Sequence, residues 1–387
     1  MVTRELDLVL FGATGFTGSL TAAYLAQHAP AGLRWALAGR DLAKLTAVRD
    51  GLGPQDAGLE LLVADVSDPD SIAAVARRTR VVATTVGPYL SYGEPLVRAC
   101  AEAGTDYVDL TGEPEFVDEM YVRYHQTALA SGARIVHACG FDSVPHDLGV
   151  RHAVLTLAAE GPVRARGVVR ASGLLSGGTF NSALTQFSRG RQMVEAHRAR
   201  RKAETAGPPP ARISRAVQGR PGRDPVLGRW LVPLPTIDPQ IVARSGATLA
   251  GYGSSFSYSH YAGTKTVRYA AGGALAVGAL AAAAQIGPAR RWLGAKLPSG
   301  AGPDDARRQR SWFTVDVIAE GDDRRVHTRV SGGDPGYAET SKMLAESAMC
   351  LALDRNPDVA GCLTTAQAMG EALTTRLVAA GIRFEVC

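Results

Sequence analysis

Leu6-Asp7-Leu8-Val9-Leu10-Phe11 runs directly into Gly12-Ala13-Thr14-Gly15-Phe16-Thr17-Gly18, and this junction decides the fold. The first six residues are an apolar run with one charge, which reads as a buried parallel strand. The three glycines then serve separate ends. Gly12 permits the tight turn, Gly15 lets the backbone approach a pyrophosphate, and Gly18 lets the next helix pack closely on the strand. From Ser19 to His28 the apolar residues recur at helical spacing. The N-terminus of that helix would offer its N–H groups to phosphates. The spacing is GxxGxxG, a variant of the dinucleotide-binding pattern. A glycine triplet alone is weak, but here it follows a strand and opens a helix, as the pattern requires. A structural turn in a cofactor-free α/β protein is the competing reading.

Working outward, Arg34 to Ala38 reads as a second strand, ending in Gly39-Arg40, with a helical stretch from Asp41 to Gly51. Leu59 to Ala64 is a third strand, ending in Asp65 and Val66. Ser71 to Arg77 is helical, and Val81 to Val86 is a fourth strand. This alternation predicts an α/β fold, a Rossmann-type doubly wound parallel sheet with right-handed crossovers. The end of the second strand selects the cofactor. NAD enzymes place a carboxylate there for the ribose 2′-hydroxyl, whereas an arginine accommodates a 2′-phosphate. This chain has Arg40 there, and a guanidinium pairs well with phosphate. NADPH is therefore expected, with Gly12 to Gly18, Gly39, Arg40, Asp65 and Val66 as its ligands. Asp65 would meet the adenine edge; a turn or capping role competes.

The chain has 387 residues, enough for two or three domains, and its 46% hydrophobic and 20% charged residues suit an ordinary globular core. The net charge of +5 slightly favours anionic ligands. No nucleic-acid motif occurs. Cys100, Cys139, Cys350, Cys362 and Cys387 are scattered and odd in number. That argues against a disulfide framework and for a reducing compartment. No metal-ligand spacing occurs, so no metal is expected. The first residues carry charge and run straight into a strand, so no signal peptide is expected and a cytoplasmic location follows.

Three further segments narrow the reading. They are Val86-Gly87-Pro88-Tyr89-Leu90-Ser91-Tyr92-Gly93-Glu94-Pro95, Gly104-Thr105-Asp106-Tyr107-Val108-Asp109-Leu110-Thr111-Gly112-Glu113, and Cys139-Gly140-Phe141-Asp142-Ser143-Val144-Pro145-His146-Asp147-Leu148-Gly149. With the glycine turn and Ala38-Gly39-Arg40, they resemble the saccharopine dehydrogenase-like oxidoreductases, most closely the actinobacterial trans-acting enoyl reductase branch. The resemblance extends nearly to the end, through Leu363-Thr364-Thr365-Ala366-Gln367-Ala368-Met369-Gly370 and Ala380-Gly381-Ile382-Arg383-Phe384-Glu385-Val386. It implies a Rossmann domain over 1–145, an α+β substrate domain on a mixed sheet over 146–335, and a segment 336–387 packing back on the first domain. It also implies that the turn at Gly87, Pro88 and Tyr89 and the turn at Gly140, Phe141 and Asp142 face the nicotinamide.

The residues themselves carry a separate argument. Pro88 stiffens a turn after a buried strand, so Tyr89 or Tyr92 could bring a phenol to the cleft. Asp142 follows the strand Arg134 to Ala138, where a carboxylate could orient substrate or donate a proton. Tyr89, Tyr92 and Asp142 are the catalytic candidates. Packing of Tyr89 on the cofactor and capping by Asp142 are the plainer alternatives. Glu113 could also line the cleft or simply start a helix. His137 and His146 read as structural. Tyr261-Ala262-Gly263-Thr264-Lys265 matches a Tyr-x-x-x-Lys dyad but lies far from the nucleotide domain; Tyr258 or Tyr261 fits a substrate pocket better.

In the second half, Val163 to Gly173 reads as a strand, and a helix should run from Gly177 to about Arg201, with Asn181 a substrate contact or a cap. Pro208 to Arg229 reads as a long exposed connection. With Arg198, Arg200, Arg201 and Lys202 it would form a basic surface, either solvated or facing a carrier protein or lipid headgroups. Tyr269 to Ala289 is uncharged and rich in Ala, Gly, Leu and Val. A buried helix, a helix that touches membrane or lines an acyl chain, and a membrane span all compete. Ser311 to Ala319 and His327 to Ser331 form a hairpin turning near Gly321-Asp322-Asp323, and Tyr337 to Leu353 is a helix. Gly361 to Glu385 should supply a last helix and a short strand.

The function implied by the resemblance is NADPH-dependent reduction of a carbon–carbon double bond in a long acyl or polyketide chain, acting in trans on a free or carrier-bound substrate. Imine or carbonyl reduction and a non-catalytic NADPH-binding protein at a lipid surface are the alternatives. Contact with the inner face of the cell membrane and a homodimer are both open at this stage.

Overall fold

The computed structural model describes residues 4–172, 177–207, 209–296 and 305–387. Its strands are β1 (Leu6–Phe11), β2 (Trp35–Gly39), β3 (Glu60–Val63), β4 (Thr79–Thr84), β5 (Asp106–Asp109), β6 (Arg134–Val136), β7 (Val163–Ser172), β8 (Ile213–Ala216), β9 (Gly222–Arg223), β10 (Trp230–Pro233), β11 (Ser255–Thr264), β12 (Trp312–Gly321), β13 (Arg324–Gly332), β14 (Gly361–Leu363) and β15 (Arg383–Val386). The helices are α1 (Phe16–His28), α2 (Leu42–Leu52), α3 (Pro69–Arg78), α4 (Tyr89–Tyr92), α5 (Glu94–Ala103), α6 (Pro114–Ser131), α7 (Val144–Leu157), α8 (Gly177–Ser188), α9 (Gly190–Thr205), α10 (Asp238–Thr248), α11 (Val267–Ala284), α12 (Gly287–Lys296), α13 (Asp305–Arg310), α14 (Ala338–Leu353), α15 (Thr365–Ala368) and α16 (Gly370–Ala379).

Two compact units emerge, and both are discontinuous in sequence. The first takes residues 4–141 and 337–380. Its seven-stranded sheet has the order β14-β6-β5-β4-β1-β2-β3, and every pairing in it is parallel. The central strands are buried over their whole length, which is why they read as unbroken apolar runs. β1 lies between β2 and β4, so the strand order reverses there. Ligands of such sheets bind outside the carboxyl ends of the strands at this switch point. α14 is buried along almost all of one side. Its Ser341 hydroxyl donates to the Thr17 carbonyl at 3.3 Å, and the Tyr24 hydroxyl donates to Glu346 at 2.7 Å, so α14 braces α1.

The second unit takes the described residues of 142–296 and 305–336, together with Gly381–Cys387. Its eight-stranded mixed sheet runs β15-β13-β12-β7-β11-β10-β9, with β8 paired to β11. The hairpin β12–β13 turns at Asp322 and Asp323, whose φ angles of 51° and 57° are left-handed. Two such central residues fit the twist of a tight hairpin, and aspartate tolerates that region better than most residues. The Asp322 carboxylate also accepts the Glu160 N–H at 2.7 Å, fastening the turn to the end of α7.

Several expectations need correcting. The connection Pro208 to Arg229 contains the short strands β8 and β9, whose weak local signal was masked by Pro and Gly. The helix expected from Gly177 to Arg201 breaks at Arg189 into α8 and α9. The last residues, Gly381–Cys387, do not stay with the nucleotide unit; β15 pairs with β13 in the second sheet. The boundary between units falls at Phe141 and Asp142, a few residues earlier than 145.

Candidate functional site

The glycine turn is built as tightly as its spacing implies. Gly12 has φ +88°, and a Cβ there would lie 2.6 Å from Val86 Cγ2. Its N–H donates to the Ala38 carbonyl at 2.8 Å, and the Thr85 hydroxyl donates to its carbonyl at 3.0 Å. The turn is thereby tied to the ends of both neighbouring strands. At Gly18 a Cβ would stand 2.1 Å from the Gly12 carbonyl oxygen and 2.9 Å from Ala13 Cα, so helix and turn can meet only if this residue lacks a side chain. Gly15 differs, because the nearest atom to a Cβ there is 3.5 Å away. The protein itself does not demand glycine at that position, whereas a close ligand would. Gly15 caps α1 without a side-chain hydrogen bond, and the first turn holds no acid. A helix start in this condition carries partial positive charge suited to an anion. Thr14 is exposed on the turn and Ala13 is buried beneath it. Phe16 is braced edge-on by Tyr337 at 4.8 Å, and Thr17 is held through its carbonyl by Ser341.

Past β2, Gly39 is buried and Arg40 is exposed. The next carboxylate, Asp41, is committed elsewhere: it caps α2 by accepting the Lys44 N–H at 3.1 Å. Arg40 makes no ion pair among the described residues. Asp65 lies beyond β3 with Val66 beside it, both half-buried. Its carboxylate accepts the N–H and hydroxyl of Ser67 at 2.8 and 2.7 Å. These bonds hold it below its usual range, with a smaller contribution from the Arg40 charge. The turn role weighed for Asp65 is thus occupied by this interaction, leaving its other oxygen for any ligand.

Beyond β4 the Gly87–Pro88 peptide is cis. Gly87 is exposed and Pro88 half-buried. Tyr89 points inward. Its hydroxyl donates to the Thr84 carbonyl at 3.1 Å and accepts the Leu110 N–H at 3.1 Å. Burial, with Asp109 nearby, raises its phenol well above the ordinary value. A phenol so placed holds β4 to β5 and is poorly suited to give up a proton. Tyr92 is 48% exposed, so of the two tyrosines it is the one open to solvent. Glu113 is buried and accepts the Tyr89 and Leu90 N–H groups at 3.2 and 2.8 Å. This carboxylate at the start of one helix caps another, α4, and fixes the turn that precedes it. Asp109 does the same between β5 and β6, accepting from Tyr107, His137, Thr111 and Ala138 at 2.7–3.0 Å. The structural reading of His137 agrees with that contact.

Asp142 opens the second unit, directly after the turn that ends β6, and its peptide bond to Ser143 is cis. Burial first, and the charge of Asp238 second, raise its carboxyl to about 7. Asp238, Asp142's neighbour in this effect, moves the other way. Its carboxyl is lowered: although burial opposes ionisation, His146, His260 and the hydroxyls of Thr236 and Ser143 favour it. Burial pushes His260 down to about 4, so its imidazole is neutral at physiological pH. Sequence reading passed over Asp238 and His260. They lie far from His146 along the chain, and no local spacing joins the three.

The remaining expectations resolve simply. Tyr261 lies on a strand, β11. Lys265 lies just past the end of that strand, so the two residues share no helix and form no helical Tyr-x-x-x-Lys dyad. Tyr258 is fully buried, with its hydroxyl 2.9 Å from His260 Nδ1. The side chain of Asn181 lies outside the described residues. Arg200 does not join the basic surface; it is buried and pairs with Glu204 at 2.5 Å. Arg198, Arg201 and Lys202 are exposed.

Residues 8–136 match the family described as the saccharopine dehydrogenase NADP binding domain. Over its whole length the chain is 41% identical to a provisionally named trans-acting enoyl reductase of Mycobacterium tuberculosis (strain ATCC 25618 / H37Rv), covering 99% of this chain and 97% of the relative. It is 37% identical to the trans-acting enoyl reductase of Mycobacterium ulcerans (strain Agy99), covering 98% and 97%. Among solved structures, saccharopine dehydrogenase (L-Glu forming) from Saccharomyces cerevisiae shares the fold, with a TM-score of 0.55 over 98% of this chain and 99% of that one, at 11% identity. The uncapped glycine turn fits the dinucleotide that the matching domain is named for, and the protein is an NADPH-dependent oxidoreductase. The chain belongs to the trans-acting enoyl reductase family, built on a saccharopine dehydrogenase-like NADP-binding domain.

Proposed function

We propose that this protein reduces the carbon–carbon double bond of an enoyl thioester, on a long acyl or polyketide chain that a separate synthase or carrier presents to it. The observation that carries the reading is identity of 41% over 99% of the chain with a protein named for that activity, combined with a nucleotide turn in which Gly12 and Gly18 cannot be replaced without collision. Residues 12–18 would hold the pyrophosphate, Arg40 the 2′-phosphate, and Gly87 and Pro88 the side of the pocket next to the nicotinamide. Asp65 and Val66 would border the adenine. When bound, NADPH supplies the hydride for the β-carbon. Asp142, whose carboxyl burial and Asp238 raise to about 7, would deliver the proton to the α-carbon when protonated. Glu113 and Tyr89 would act on the reaction only by fixing the turn at Gly87 and Pro88. The second unit would bind substrate.

Arg40 offers a clean test of the cofactor assignment. Arg40→Ala is expected to weaken NADPH binding about 10- to 100-fold, the loss of a charge-assisted contact of about 1.5–3 kcal/mol. NADH should bind as it does to the unaltered protein. Fluorescence titration with both cofactors checks this, and equal weakening of the two would remove Arg40 from the 2′-phosphate. The reaction is tested with NADPH and a panel of long enoyl thioesters, imines and ketones. Consumption with thioesters alone supports the reading; consumption with imines or ketones alone replaces it.

A membrane surface is the second proposed partner. α11 is long and apolar enough to cross a membrane, yet it buries only Ala270 and Ala284. Leu275 is 74% exposed and Tyr269 70%. From Lys265 to Lys296 the sequence has Arg268, Arg290 and Arg291 and not one acid. An exposed apolar helix flanked by basic residues suits the boundary of an anionic bilayer. Leu275→Glu is expected to reduce flotation with phosphatidylglycerol vesicles at least fivefold, since one charge offsets the transfer energy of a buried leucine, about 1.5–3 kcal/mol. Unchanged flotation, or no flotation of the unaltered protein, would dismiss the membrane contact.

A further inference from the structure

We propose that His146, Asp238 and His260 form a binding site for one divalent transition-metal ion, zinc first among them, inside the second unit. The three come from separate elements: His146 from α7, Asp238 from the first turn of α10, and His260 from β11. Each is buried, at 1%, 1% and 4% exposure, and one donor atom from each lies within 4.8 Å of the others. His146 Nδ1 is 3.1 Å from Asp238 Oδ1, and His260 Nε2 is 3.6 Å from Asp238 Oδ2. Nitrogen and oxygen ligands about 2.0–2.1 Å from one tetrahedral zinc stand about 3.3 Å apart; each imidazole approaches one oxygen of the carboxylate near that separation, and the full set, spread over no more than 4.8 Å, would draw together by about an ångström on binding.

Three further features favour a cation over a simple hydrogen-bonded cluster. Asp238 Oδ1 has no hydrogen-bond partner among the described residues, although His146 Nδ1 is 3.1 Å away. The two atoms approach each other without the geometry of a donor meeting an acceptor, as atoms sharing a third partner do. No lysine or arginine pairs with Asp238 among the described residues; its ion-pair partners there are two imidazoles, of which His260 is neutral, and the Asp142 carboxyl lies near enough to feel its charge. The hydroxyls of Thr236 and Ser143 compensate this buried charge in part, and a metal ion would supply the cation that the cluster otherwise lacks. Finally, His260 Nδ1 is engaged by the Tyr258 hydroxyl at 2.9 Å, which leaves Nε2 turned toward Asp238. Metal-binding histidines are commonly oriented in this way, through a partner on the other ring nitrogen. A set of two histidines and a carboxylate suits zinc or a comparable first-row ion. The site calls for no redox step. An ion at Asp238 would cancel the second cause and oppose the first, so Asp142 would be raised less with the ion bound than without it.

The test uses the full chain without an affinity tag, stripped by chelator and dialysed. Zinc retained after equilibration is counted by mass spectrometry, and cobalt is followed by its tetrahedral absorption. One ion per chain is expected. Asp238→Asn and His260→Gln should each abolish the cobalt band and lower zinc affinity at least 100-fold. Tyr258→Phe, which touches no ion, should weaken it about 10- to 100-fold. The melting transition and near-ultraviolet circular dichroism of each variant serve as the folding control, because the substitutions lie in the second unit and NADPH binding reads only the first. A folded, unaltered chain that retains no zinc and shows no cobalt band would overturn the proposal. Variants that bind zinc as tightly as the unaltered chain would overturn it equally.

Discussion

Replacing Gly18 by valine is expected to abolish NADPH binding, weakening it at least 100-fold, and to lower thermal stability. The first atom of any side chain at this position would lie 2.1 Å from the Gly12 carbonyl oxygen and 2.9 Å from Ala13 Cα. Both obstacles are backbone, so no rotamer change relieves them. The helix must retreat from the turn, and α1 is held from its other side by Ser341 and Glu346 of α14. Overpacking of this kind costs about 1–3 kcal/mol or more, and the displacement falls on the N–H groups that would meet the pyrophosphate. Gly15→Ala is the informative contrast. Its Cβ meets nothing nearer than 3.5 Å, so the fold should survive while the cofactor, if it approaches there, is repelled. Melting temperature and NADPH titration on the two variants separate the effects. A Gly15→Ala protein that binds NADPH normally would move the pyrophosphate away from this turn.

Asp142→Asn is expected to lower kcat for enoyl thioester reduction about 100- to 1,000-fold, in the range of a lost general acid, with NADPH affinity unchanged. The carboxyl is raised to about 7 by burial and by the charge of Asp238. It donates only when protonated, so kcat of the unaltered enzyme should be highest below that pH and fall as pH rises through it. In Asp142→Asn that fall should disappear with the activity. If the variant keeps its kcat, or keeps the same pH profile at reduced rate, the proton comes from another group. Tyr89 is a weak substitute, because both sides of its hydroxyl are already hydrogen-bonded to backbone. Tyr92, which is exposed, would be examined next.

The nucleotide-binding half was legible in the sequence because its signals are local. A buried parallel strand must be apolar throughout, a turn that cannot hold a Cβ must be glycine, and both appear as consecutive residues in Leu6 to Gly18. Strand ends carried the same information at Arg40 and Asp65. What stayed hidden depends on distant pairing. β8 and β9 are four and two residues long and amid prolines and glycines; they are strands because β10 and β11 offer edges to them. β14 and β15 each join a sheet laid down much earlier in the chain, one in each unit. Tyr89 looked catalytic from its place after a strand, and only its hydrogen bonds show that its hydroxyl braces β4 against β5. The cluster of His146, Asp238 and His260 had no signature at all, since α7, α10 and β11 bring it together from positions without any common spacing.

The central claim is most directly tested by a single-turnover experiment with NADPH deuterated at the transferable position of the nicotinamide and a long-chain 2-enoyl thioester. The account predicts one equivalent of NADPH oxidised per thioester saturated, with the deuterium at the β-carbon. NADPH that binds but is never consumed, or deuterium recovered at any other carbon, would contradict it.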